Sequence, residues 1–219
     1  MARPSTIDPR TRILDAAEKT IAEAGFSGAS LRHIVLEAKV NLATVYYYYG
    51  SKIGLMKAVL KRRFGPLREE HLALLSEFEA QAKGRPLPVE KILEAMLLPP
   101  LRLAAKAPTR HQAVTRLIGR IVAEPNPQIQ EVLRDQRAAV WTAFLKALQR
   151  SLPGARVTDL RWRTEFVWGA LAFVLCNPRK IELETNGACD VQKTKEVLAQ
   201  MLDLFTPGFR ALGRGARKA

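Results

Sequence analysis

The sequence predicts an all-α chain in two parts, a small three-helix head followed by a larger helical bundle. Three features dictate it. Apolar residues recur at the helical period along the whole chain, and no stretch keeps the two-residue alternation of a strand for long. Short helical runs crowd the first fifty or so positions and longer ones follow. At the junction lies LRHIVLEAKVNLATVYYYYGSKIGL, Leu31 to Leu55, where two short apolar-patterned helices flank a tight turn. Four consecutive tyrosines then precede a Gly-Ser-Lys signal that opens another helix.

The elements follow in order. Asp8-Pro9 supplies an N-cap and a proline at the first helical position. Ile13, Leu14, Ala17, Ile21 and Ala24 then share one face, and Gly25 stands where a helix-ending residue belongs. Ser30 is placed to cap a second helix with Leu31, Ile34 and Val35 inward, and Asn41 a third with Val45 and Tyr49 inward. Ser51 is placed to cap a fourth, striped by Leu55, Met56, Val59 and Leu60, which the head needs to close its core. Gly65-Pro66 is expected to kink or interrupt that helix, and Pro99-Pro100 to break the next, read over 89–107. Further helices are read over 67–82, 110–123, 129–151, 159–175 and 191–204, with a frayed basic tail containing Arg210, Arg214, Arg217 and Lys218. These shifts set the expected domains at 1–52, 53–213 and a tail at 214–219.

Composition narrows the function. The 219 residues carry a net charge of +14 and are 47% hydrophobic, which excludes a disordered chain and favours a nucleic acid or an anionic surface as partner. Residues 1–64 hold eleven Lys and Arg against five Asp and Glu, so the charge is densest at the head. Cys176 and Cys189 are the only cysteines, so a disulfide scaffold is excluded. MARPSTIDPR lacks the apolar core of a secretory signal, and the run from Phe166 to Cys176 is too short to span a bilayer. A cytoplasmic protein without membrane insertion is expected. His33, His71 and His111 are scattered, with no metal-ligand spacing, phosphate loop or nucleophile elbow, so neither an enzyme nor a bound metal or cofactor is expected.

The tyrosine run is the sharper clue. One helix face buries only about half of four successive side chains, so other rings must meet solvent or a partner. The segment TRILDAAEKTIAEAGFSGASLRHIVLEAKVNLATVYYYYGSKIGLMKAVL resembles the N-terminal domain of the TetR family of transcriptional repressors. The likeness comprises an amphipathic first helix ending Ala-Gly-Phe, the second helix LRHIVLEA, a short third helix ending in aromatics, and Gly-Ser-Lys before a long fourth.

In such a helix-turn-helix the second helix of the motif enters the major groove, and its early residues meet base edges. Here these are Asn41, Leu42, Ala43 and Thr44: Asn41 and Thr44 offer hydrogen bonds, while Leu42 and Ala43 suit thymine methyls. Arg32 and His33, at a helix N-terminus, are phosphate candidates, and Arg10 and Arg12 are weighed as further ones. Tyr47 and Tyr48 point away from the face that buries Tyr49. The resemblance implies backbone contacts at Tyr46 and Tyr47 and a phosphate clamp at Lys52. Two departures stand out: Lys39 occupies the turn where the family usually has glycine, and Lys52-Ile53-Gly54 lacks the acidic residue that would complete a capping box with Ser51.

For the remainder, the resemblance implies an effector-binding and dimerising domain, and hence a homodimer on a double-stranded DNA operator. The last two long helices are the dimer candidates, through Trp162, Phe166, Gly169, Ala170 and Phe173 on one and Leu198, Met201, Leu202 and Phe205 on the other. Met96, Leu117, Trp141, Phe144, Leu145 and Trp168, with Arg116 and Arg120 for an anionic group, could line a pocket for an apolar or amphipathic small molecule. The rival expectation is a basic helical protein that binds anionic membrane surfaces, or nucleic acid without sequence preference.

Overall fold

In the computed structural model of the chain, residues 8–105 and 126–215 are described, and every regular element among them is a helix. We label them α1 (Pro9–Gly28), α2 (Leu31–Ala38), α3 (Leu42–Tyr49), α4 (Lys52–Gln81), α5 (Val89–Ala105), α6 (Pro127–Ser151), α7 (Val157–Cys176), α8 (Pro178–Glu184) and α9 (Thr194–Gly215). The described residues divide into two compact units, the first holding 8–65 and 126–136, the second 66–105 and 137–215.

The first unit is the head. Asp8 accepts from the Arg10 backbone N–H and starts α1, and Gly25, at φ 72°, breaks its helical path where the sequence placed the end. Ile13, Ala17, Ile21, Ile34 and Val45 form the core of α1, α2 and α3. Leu55, Met56, Val59 and Leu60 of α4 complete it, together with Ile129, Val132 and Leu133 of α6. A boundary at residue 52 therefore cuts through this core, because the apolar stripe that closes the head lies beyond it.

Three local expectations change. Ser30 stands at the start of α2 but makes no capping bond. Ser51 Oγ does accept from the Gly54 N–H at 2.9 Å, so the forward half of the cap survives without an acidic partner. A β-carbon on Gly54 would collide with the Tyr49 carbonyl, so glycine there lets α4 begin directly against the end of α3. Pro66 does not interrupt α4, which runs through it as one helix.

The second unit surrounds α5, whose Ile92, Leu93, Met96 and Leu97 are buried among Phe144, Leu148, Leu160, Val167, Leu171 and Phe209. Pro99 and Pro100 sit inside α5 without ending it. Each removes the N–H that would bond the carbonyl four residues earlier, which frees the oxygens of Ala95 and Met96. His71 Nε2 lies 3.0 Å from the Met96 oxygen. A carbonyl only accepts, so Nε2 carries the proton. The buried ring also meets Phe144 and Trp168 edge-on. One of the two freed oxygens thus gains a donor from another helix.

Burial pushes the His71 imidazole below its ordinary value, against the opposing pull of the Met96 and Leu67 carbonyls. The folded protein holds the ring neutral while the unfolded chain takes up a proton below about pH 6.5. The stability tied to this ring is complete above that pH and is lost as pH falls toward the depressed folded value. Urea denaturation at pH 7.5 and 5.5 should show a loss in the parent that His71→Gln largely lacks. His71→Phe, which strands the Met96 carbonyl, should cost about 1–3 kcal/mol at either pH.

The later helices also differ from expectation. The seven-residue α8 has no counterpart among the expected helices, and α9 continues to Gly215 instead of ending at 204. Arg210, assigned to a frayed tail, lies in α9 and pairs with Glu90. Met201, expected on the dimer face, is buried in the core, and Leu198, Leu202 and Phe205 pack against that core. Among the described residues, the large apolar side chain that α9 exposes is Leu204.

Candidate nucleic-acid interface

The third helix is short and tied at its start. Asn41 Oδ1 accepts from the Thr44 backbone N–H at 2.8 Å and from the Thr44 hydroxyl at 2.7 Å. Val45 is anchored in the head core, and this fixes which way the helix faces. Leu42, Ala43, Tyr46 and Tyr47 are consequently exposed, Tyr47 at 84%. A helix of eight residues that turns an alanine, a leucine and two tyrosines to solvent has a surface made for a partner.

Tyr48 departs from the expected outward position. It is half-buried, its ring set edge-on to Tyr47 at 5.1 Å, with the Arg10 guanidinium 5.2 Å above it. Tyr49 packs inward as its phase requires, and its hydroxyl donates to the Arg10 carbonyl at 3.0 Å. Burial, the larger effect, raises its phenol above the ordinary value although Arg10 and Arg62 pull it down. The end of α3 is thereby pinned to the start of α1, and Arg10 is held beside the tyrosines.

Arg32 and His33 are exposed on the first turn of α2. Lys52 begins α4 with its ammonium 4.5 Å from the Phe26 ring centroid, which orients it as a cation–π pair does. Arg12 is half-buried. The structure thus keeps Leu42, Ala43, Tyr46, Tyr47, Arg32 and His33 accessible, binds Asn41 to Thr44, and covers part of Tyr48 and Lys52.

Lys39 resolves the departure in the turn. It adopts φ 52°, ψ 50°, the left-handed conformation a glycine would take, while the Val40 N–H reaches the Val35 carbonyl at 3.0 Å in a Schellman-type end. The left-handed turn is formed by a lysine at the expense of backbone strain. Lys39→Gly should raise the stability of the protein by about 0.5–1 kcal/mol, seen as a higher urea midpoint with an unchanged slope.

One feature of the head is absent from the sequence expectations. Glu18, 7% exposed, receives Arg62 Nε at 2.7 Å and a second bond from Arg63, while Arg62 also reaches Asp15 at 2.8 Å. Its position, four residues after Leu14 and three before Ile21 on the apolar stripe, was the available signal. The Asn41–Thr44 bond follows from ordinary capping spacing.

On the second unit, Trp162 and Phe166 are 64% and 59% exposed and stack at 5.8 Å, with Phe173 and Gly169 also outward and Ala170 half-buried. Met96 and Phe144 are fully buried, whereas Trp141, Leu145 and Trp168 are half-buried. Arg116, Leu117 and Arg120 lie outside the described residues. Among the described residues, no helix is long and apolar enough to cross a membrane and no group of three or more His, Cys, Asp or Glu is placed to hold a metal ion.

Comparison with known proteins agrees with this geometry. Residues 13–59 match the family described as bacterial regulatory proteins, tetR family, and 94–208 match the tetracyclin repressor-like C-terminal domain. The chain is similar to the transcriptional regulator UidR of Escherichia coli K12, at 26% identity over 75% of this chain and 90% of that one. It is also similar to the transcriptional repressor KstR of Rhodococcus jostii, at 26% identity over 63% of this chain and 71% of that one. Its fold is that of a FadR regulator from Bacillus subtilis solved with stearoyl-CoA, with a TM-score of 0.55 at 17% identity, covering 90% and 98% of the two chains. A helix-turn-helix head with an exposed third helix, followed by a matching C-terminal domain over more than half of the chain, makes this protein a member of the TetR family of DNA-binding transcriptional regulators.

Proposed function

We propose that the protein is a ligand-released repressor that binds a two-fold operator as a homodimer, with α3 of each protomer in the major groove. The observation that carries this reading is the outward face of α3, where small and aromatic residues stand free on a helix fixed at both ends. Leu42 and Ala43 would meet base edges and methyls, Tyr46 and Tyr47 the sugar-phosphate backbone, and Arg32, His33 and Lys52 the phosphates. Tyr48 would act mainly by holding Arg10 in place. The stacked Trp162–Phe166 face, with Gly169 and Phe173, would meet its mate across the two-fold axis.

Repression is favoured by the similarity to KstR, a repressor by name. An apolar or amphipathic effector is favoured by the stearoyl-CoA complex of the Bacillus protein with the same fold. The half-buried Trp141, Leu145 and Trp168 are the candidate contacts among the described residues. Such a ligand releases DNA only if it binds more tightly to a state whose heads no longer match the half-sites. The setting is the cytoplasm, where the operator would be.

The test is anisotropy against duplexes enriched from a random library, across a salt series. Affinity should fall steeply with salt through counterion release. Lys52→Ala should weaken binding to enriched and scrambled duplexes alike and reduce the salt slope by about 1 per protomer. An unchanged slope would remove Lys52 from the phosphate contacts.

A further inference from the structure

The cap of α3 also fixes the direction of two hydrogen bonds. Asn41 Oδ1 faces the Thr44 backbone N–H, which only donates, so the amide is oriented with its oxygen toward the helix. That oxygen has no proton to give, so the Thr44 hydroxyl must spend its own on it at 2.7 Å. Asn41 Nδ2 is left as a donor with two N–H groups, and Thr44 Oγ1 is left with lone pairs only. The exposed Leu42 and Ala43 between them keep this end of the helix open to a groove floor.

Base pairs differ in how they answer such a pattern. In the major groove adenine sets an acceptor, N7, beside a donor, the N6 amino group, whereas guanine sets two acceptors, N7 and O6. Resting on the DNA-reading role proposed above, we infer that Asn41 and Thr44 jointly read an adenine in each half-site, Nδ2–H to N7 and N6–H to Thr44 Oγ1. Guanine is rejected at that position because O6 would face the lone pairs of Oγ1. The hydroxyl could turn toward O6 only by abandoning Asn41, so the cap itself enforces the choice. Asn41 is both helix cap and reader, and Thr44 reads with a polarity that Asn41 sets.

The experiment uses the full chain and the duplex it enriches from a random library. Each half-site adenine is replaced in turn by guanine, by 7-deazaadenine, which lacks the N7 acceptor, and by purine, which lacks the 6-amino group. At one adenine per half-site each replacement should weaken the parent about tenfold or more, the usual range for one lost base contact. Thr44→Val should then bind the adenine and purine duplexes equally, while Thr44→Ser should keep the preference. Asn41→Ser retains a capping oxygen and should become indifferent to 7-deazaadenine. Thermal unfolding of each variant establishes that the head is folded. A Thr44→Val protein that keeps the adenine-over-guanine ratio at every position overturns the inference and leaves the DNA-reading role standing. A parent that enriches no consensus overturns both.

Discussion

Replacing Glu18 by alanine is expected to lower the stability of the protein by about 2–3 kcal/mol. Removing one partner of a buried ion pair leaves the other charges without compensation, which costs about 3–5 kcal/mol when the site is sealed. Here Glu18 is sealed but Arg62 and Arg63 are 28% and 32% exposed, so water softens the penalty. The loss falls on the head, because Glu18 belongs to α1 and both arginines to α4. Urea denaturation measures it directly. A triple change, Glu18→Leu with Arg62→Met and Arg63→Met, should recover most of the loss, since an apolar replacement of the whole cluster leaves no charge stranded. A Glu18→Ala protein as stable as the parent would show the cluster to be incidental.

Phe166→Arg is expected to turn the protein into a monomer at micromolar concentration. Phe166 and Trp162 form a stacked aromatic pair facing solvent in the single chain, and aromatic anchors of this kind contribute about 2 kcal/mol or more each to an interface. Across a two-fold axis the substitution acts twice, so about 4 kcal/mol, or roughly a thousandfold in the dimer constant, is at stake. The side chain is not part of the core, so unfolding should remain cooperative near the parent midpoint. Sedimentation equilibrium reads the assembly state, and operator affinity should fall with it. A dimeric Phe166→Arg protein would place the interface elsewhere.

Much of this was legible in the sequence because it depends on neighbours along the chain. Asp8 and Asn41 cap helices three or fewer residues away, and the stripes Ile13–Ala17–Ile21 and Leu55–Met56–Val59 follow from helical phase alone. What depends on distant partners was not. Pro99-Pro100 reads as a break, yet α5 continues through it, and His71, twenty-five residues before Met96, supplies a donor to one of the two carbonyls the prolines free. Met201 sits at a spacing that suits a dimer face, but the same spacing serves the core that Phe209 anchors further along α9. Helical phase turns Tyr48 outward, and Arg10 from α1 covers it. Lys39 is the instructive intermediate case. The family pattern indicates glycine, and the left-handed turn is kept by a lysine that bears the strain.

Two protomers are expected to read one sequence through their third helices. Anisotropy and sedimentation of the full chain on its enriched duplex, with scrambled duplex as competitor, test it most directly. The expected result is two protomers per duplex, binding that resists the competitor, and an affinity that drops steeply with salt. Equal affinity for enriched and scrambled DNA, or one protomer per site, would contradict it.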